Sequence, residues 1–122
     1  MTSRIVAVRG ATTIESDSWE SIEVRVHELL GEILRRNLID HDDIVSVLFT
    51  ATPDITVAFP ATAARGIGFG DIPLMCATEI DVAGATPLCI RAMLHVYSTR
   101  RRDEIRHVYL HGAQGLRDDL PT

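Results

Sequence analysis

A chain of 122 residues, 46% hydrophobic and 24% charged, has room for one folded domain spanning 1–122 and little more. A formal net charge of −5 argues against a nucleic-acid partner, which demands a basic face, and no run of ~18 apolar residues offers a membrane span. With no apolar stretch behind a basic start, and two cysteines at no metal-ligand spacing, the expectation is a cytoplasmic protein without disulfides or metal.

Residues Ile5 to Val8, followed by Arg9, Gly10 and Ala11, read as a first strand. Asp17 to Asn37 reads as the one long helix, with Asp17 as N-cap and Glu20 three residues on as in a capping box. Ile22, Val26, Leu29, Leu30, Ile33 and Leu34 recur at helical spacing and form its buried face. His41, Asp42 and Asp43 make a polar turn before a β-branched and aromatic strand, Ile44 to Thr50. Pro53 breaks that strand, and Pro60 opens a short helix through Ala64 and Arg65. Gly66, Gly68 and Gly70 end it in a turn. Pro73 to Ile80 returns to strand, Leu88 to Ser98 is the longest strand, and Ile105 to Leu110 is a last short one. From Gly112 onward no packing pattern appears, so 113–122 is expected to be a flexible tail. The order implies an α+β fold, a mixed sheet packed by one long helix. That helix covers one sheet face, and a second copy of the chain is the simplest cover for the other.

All twelve basic residues are arginines, and those set in apolar strands are the informative ones. Strand alternation places Cys89, Arg91 and Met93 on one face and Ile90, Ala92 and Leu94 on the other. A guanidinium flanked by Cys and Met must meet an anion if it is buried. That anion is either an internal carboxylate, Glu79 or Asp81, or a bound ligand. Glu79 sits on a partly apolar strand and is open to the same two readings, and Arg9 ends the first strand. Cys76 has no histidine tied to it by any sequence signal, so a small core thiol explains it better than a nucleophile. The five histidines form no metal-like constellation. These residues point to a small anionic ligand handled by charge and hydrogen bonds, without naming it.

Seven blocks together are more specific. Val8-Arg9-Gly10-Ala11-Thr12-Thr13, Thr50-Ala51-Thr52-Pro53-Asp54, and Ala58-Phe59-Pro60-Ala61 with Ala64-Arg65 come first. Pro73-Leu74-Met75-Cys76 with Glu79-Ile80-Asp81-Val82, Cys89-Ile90-Arg91, Ile105-Arg106-His107-Val108-Tyr109-Leu110 and Leu116-Arg117-Asp118-Asp119-Leu120 follow. In order and spacing they resemble the AroH-class chorismate mutases. The resemblance implies a homotrimeric pseudo-α/β-barrel with an active site in each interface cleft. It further implies the [3,3] rearrangement of chorismate to prephenate in phenylalanine and tyrosine biosynthesis, with no metal or cofactor. By that resemblance Arg91 contacts the ether oxygen and a carboxylate, Arg9 and Tyr109 bind a carboxylate, and Glu79 accepts from the ring hydroxyl with Cys76 beside it. Phe59 and Leu116 would be apolar walls, and Arg65 and Arg117 would add positive potential at the rim. Met75 stands where the family can carry Thr, leaving a backbone contact, and Thr62 replaces a basic residue seen in relatives. The alternative is a YjgF-like trimeric binding protein or deaminase for small metabolites, which would not need Arg9, Glu79, Arg91 and Tyr109 together.

Overall fold

The computed structural model describes residues 2–116. Strand β1 (Arg4–Thr13) leads into helix α1 (Trp19–Asn37), and a single helical turn (His41–Asp43) precedes β2 (Ile44–Ala51). The short α2 (Pro60–Ala64) runs on as an irregular turn, Arg65–Phe69, in which Ile67 and Gly68 leave helical geometry. β3 (Leu74–Thr78), β4 (Cys89–Ser98) and the two-residue β5 (Val108–Tyr109) complete one five-stranded sheet in the order β3-β2-β4-β1-β5. β4 is antiparallel to both neighbours, and the outer pairs β2/β3 and β1/β5 are parallel. The mixed sheet and single long helix follow the sequence reading.

One face of the sheet carries the main core. Val8, Val47, Phe49, Ile90, Leu94 and Val96 are buried against Ile22, Val26, Leu29, Leu30 and Ile33 of α1. Burial of each such side chain contributes about 1.5–3 kcal/mol. Helix and sheet meet most closely at Gly10, where a Cβ would stand 2.7 Å from Ile33 Cδ1 and 3.1 Å from Leu29 Cδ1. Leu34, counted with the buried face from its spacing, is only partly buried at the edge of this core.

One local expectation is corrected. Ser18, not Asp17, caps α1, its hydroxyl accepting from Ser21 N–H at 3.3 Å. Asp17 instead accepts from Thr56 N–H at 3.0 Å, from the Thr56 hydroxyl at 2.6 Å and from Val57 N–H at 3.3 Å. These bonds, the Thr56 hydroxyl first, hold its carboxyl below the usual aspartate range. Asp17 is thereby committed to the loop before α2, which leaves the cap to its neighbour. Of the expected tail, Ala113 is fully buried, packed with Ala11 and Cys89, and Leu116 lies against the same small cluster, while 117–122 lie outside the described residues. The segment after β5 thus returns over the sheet through Leu116.

Candidate active site

The sheet face away from α1 carries the residues with chemistry. Ile5, Ala7, Arg9 and Ala11 of β1 stand opposite Tyr97, His95, Met93 and Arg91 of β4. Leu48 and Thr50 of β2 stand opposite Met93 and Arg91. On β3, Met75 and Ala77 pair with Leu48 and Thr50, and on β5 Tyr109 pairs with Ala11. Near the middle of this face Arg9, Leu48, Thr50, Glu79, Arg91, Met93 and Tyr109 line a cleft of about 170 Å3.

Glu79 follows β3, and its N–H donates to Ala51 O at 2.9 Å, continuing the β2/β3 pairing by one residue. Its Oε2 lies 2.9 Å from Arg91 Nε and accepts from the Thr50 hydroxyl at 2.9 Å. The Arg91–Glu79 contact is an ion pair by distance, but the N–H is not aligned for a hydrogen bond, and Nε has no other partner among the described residues. Among the described residues, the terminal amino groups of Arg91 donate to no oxygen and no hydrogen bond reaches Glu79 Oε1. The internal pairing of Arg91 with Glu79 is thus present along the Nε edge of the fork, and Arg91 is at the same time among the residues that line the cleft.

The Tyr109 hydroxyl is buried without a hydrogen-bond partner among the described residues. A buried polar group in that state calls for an explanation. Arg9 is held by its backbone, whose N–H donates to Nδ1 of the buried His107 at 2.9 Å, and it forms no ion pair with a described acidic residue. A larger cavity of about 410 Å3 shares Arg9 and Met93 and is otherwise lined by Arg4, Ile5, Val6, Ala7, Arg102, Ile105 and His107. Its lining carries arginines and, among the described residues, no carboxylate, whereas the smaller cleft has both.

The strand carrying Arg91 is pinned three and two residues before it, at Leu88 and Cys89. Leu88 has left-handed backbone, φ 49, which is strained for a residue other than glycine. Its N–H donates to Asp54 Oδ2 and Cys89 N–H to the Thr52 hydroxyl, both at 2.9 Å, while that hydroxyl donates to Asp54 Oδ1. Thr52-Pro53-Asp54 is thus a clamp on the start of β4. Cys89 lies within it, and burial pushes its thiol up against the opposing pull of Arg91, so it stays protonated and unreactive near neutral pH.

The remaining expected residues lie elsewhere in a single copy. Cys76 pairs with Phe49 on the helix-facing side of β3, because alternation turns Met75 and Ala77 to the open side instead. It lines a separate pocket with Val57, Phe59 and Pro60 and does not reach the Glu79 cleft. Phe59 is 67% exposed in that pocket, and Met75, equally exposed, stands on the open face beside Leu48. Arg65 is exposed and donates to the Thr62 hydroxyl at 3.2 Å. Leu116 packs with Tyr109 on the Ala11–Cys89–Ala113 cluster. Arg117 lies outside the described residues. Thr50, Thr52 and Asp54 were visible only as parts of a motif, with no role attached. The signal for them is a run of hydroxyl and carboxylate side chains at the end of a buried strand.

The family model for chorismate mutase type I matches residues 5–120. The chain belongs to the type I chorismate mutase family. It is 42% identical over 117 residues to chorismate mutase AroH of Bacillus subtilis (strain 168), covering 95% of this chain and 92% of that protein. Chorismate mutase AroH of Thermus thermophilus is 43% identical over 116 residues, 94% of this chain and 95% of that one. A solved structure, chorismate mutase from Clostridium thermocellum Cth-682, matches with a TM-score of 0.87 at 44% identity, covering 89% of this chain and 97% of its own. The mixed sheet and its helix layer are thus those of a chorismate mutase, and the YjgF-like alternative finds no support in these matches.

Proposed function

We propose that this chain rearranges chorismate to prephenate in the cleft between Arg9, Glu79, Arg91 and Tyr109. Chorismate is a dicarboxylate joined through an enolpyruvyl ether. The [3,3] shift breaks the ether C–O bond and makes a C–C bond in one cyclic array, with no proton transferred and no covalent enzyme intermediate. Two tasks remain for the protein: holding the compact, chair-like conformer, and stabilising charge as the ether bond breaks.

Arg91 meets the ether oxygen, where negative charge grows, and a carboxylate, through the amino groups not facing Glu79. Donors placed before the reaction in a site with little water are the largest lever of this kind. Arg9 and the Tyr109 hydroxyl take the other carboxylate. Glu79 accepts from the ring hydroxyl through Oε1 and faces the electron-poor ring. One observation supports this reading above the rest: Arg9 of β1, Arg91 of β4, Tyr109 of β5 and Glu79 just past β3 line one cleft together.

The cleft is shallow in a single copy, and a homotrimer is the assembly we assign. Ile5, Leu48, Met75 and Tyr97 leave the open sheet face partly apolar and exposed, a surface a neighbouring copy would cover. Phe59 and Arg65, remote from the cleft of their own chain, would then close the cleft of the adjacent copy as wall and rim. Arg117 is assigned to the same rim, Met75 to a backbone contact at the cleft edge and Leu116 to an apolar wall beside Tyr109. The sequence reading of Cys76, beside the ring hydroxyl, requires the assembled cleft to reach the far side of β3. We treat 1–122 as one catalytic domain. The two cysteines are free, as suits the cytoplasm, where we place the enzyme.

The test is the ultraviolet absorbance of chorismate incubated with purified protein. Enzyme-dependent loss of absorbance with stoichiometric prephenate is expected; unchanged chorismate in the presence of folded protein would refute the reading.

A further inference from the structure

The hydroxyl of Thr50 is the one side-chain hydrogen bond made to Glu79 among the described residues, at 2.9 Å. It goes to Oε2, the oxygen that also faces Arg91 Nε at 2.9 Å. The Thr50 hydroxyl and the Arg91 guanidinium therefore meet the same carboxylate oxygen, and among the described residues no hydrogen bond reaches the other. The backbone reinforces the arrangement. Thr50 is directly opposite Arg91 in the β2/β4 ladder, and Ala51, the next residue, accepts the Glu79 N–H at 2.9 Å. Glu79 thus stands just past the last residue of β3, where the sheet ends and its side chain has a choice of rotamers. An ion pair with Arg91 does not settle that choice: a guanidinium attracts either oxygen, and the Nε–H here is not aligned for a hydrogen bond. The hydroxyl is directional, and it is fixed to a strand paired on both sides.

We propose that Thr50 is a positioning residue for the reaction. Its hydroxyl holds Glu79 Oε2 toward Arg91, so that Oε1 is presented to the ring hydroxyl of the substrate and the Arg91 amino groups stay free for the ether oxygen. This rests on the reading of Glu79 given above. Thr50 itself does not touch substrate in this scheme. Its effect passes through the carboxylate, and it belongs to the geometry reached in the transition state more than to initial binding, because a misplaced acceptor costs most where charge separates.

The experiment compares Thr50→Val and Thr50→Ser with the native enzyme in the chorismate assay, with Glu79→Gln measured alongside. Valine keeps the branched shape and strand preference of threonine and removes only the hydroxyl; serine keeps the hydroxyl and removes the methyl. Thr50→Val is expected to lower kcat about tenfold, a fraction of the worth of a hydrogen bond to a charged group. KM should change less than about twofold and the melting temperature little, while Thr50→Ser should recover kcat to within about twofold of native. Native kcat in Thr50→Val, a loss confined to KM, or equal losses in both variants would overturn the proposal, the last by assigning the effect to the methyl. If Glu79→Gln is impaired and Thr50→Val is not, the Thr50 proposal alone falls. If Glu79→Gln turns over at the native rate, the reading of Glu79 falls and takes the Thr50 proposal with it.

Discussion

Arg91 has five N–H donors in a planar fork, and among the described residues Glu79 is the one carboxylate paired with them. Lysine would supply the charge as a single flexible point and could not face a carboxylate and an ether oxygen at once. Arg91→Lys should therefore lose most of its turnover, measured as kcat. Cys76→Ser should keep substantial activity, because no thiolate attack is proposed and the thiol packs against the core side of β3. A trapped covalent adduct, or complete loss in folded Cys76→Ser protein, would reverse that assignment. Arg9, Glu79 and Arg91 stand out in the sequence because each interrupts an apolar strand or its end, where a polar side chain needs a reason, whereas Tyr109 is named only through the family resemblance. Thr50 does not stand out. Threonine is common in strands, and its role depends on β2 lying between β3 and β4, a long-range pairing no local pattern reveals.

At the level of elements, periodicity fixed β2, β4 and the body of α1 within a residue or two. Ends were less legible, since they depend on partners distant in sequence. Asp17 and Ser18 are both good caps; the choice between them is made by Thr56, 39 residues away. β5 keeps only Val108–Tyr109 of the expected Ile105–Leu110, because just Gly10 and Ala11 offer it a ladder. Ala113 looks unremarkable in sequence, yet it is buried by the Ala11–Cys89 pair on the open face. Between β2 and the region after α2 lies a titratable tie: His41 Nε2 is 2.9 Å from Asp71 Oδ1 and 3.0 Å from Gly68 O. The Asp71 bond raises the His41 pKa above 6.5, with partial desolvation opposing it. A raised folded value means the tie stabilises fully below the unfolded pKa and weakens as pH rises through the folded one. His41→Ala should accordingly lower the melting temperature more at pH 5.5 than at pH 8.5. Equal losses at the two pH values would show that the ion pair contributes nothing.

For the molecule as a whole, composition left an apparent conflict: a chain of net charge −5 is assigned a dianionic substrate. Local field in a cleft, not total charge, governs capture of a small ion, and Arg9 and Arg91 supply that field in this cleft. The uncovered sheet face was legible from the count of helices, and a second copy of the chain reads as its simplest cover; the pattern of one chain carries no mark of how many copies assemble. Light scattering at assay concentration should give three times the 13.5 kDa chain mass; a stable monomer with full activity would contradict the assembled site. The claim on which the chemistry depends is that a preplaced guanidinium stabilises the breaking ether bond. Turnover of chorismate by purified Arg91→Ala, at the native oligomeric state, measures it most directly. A fall in kcat of at least ~10²–10³ is predicted, the scale of removing one oxyanion donor, and native turnover by that variant would contradict the mechanism.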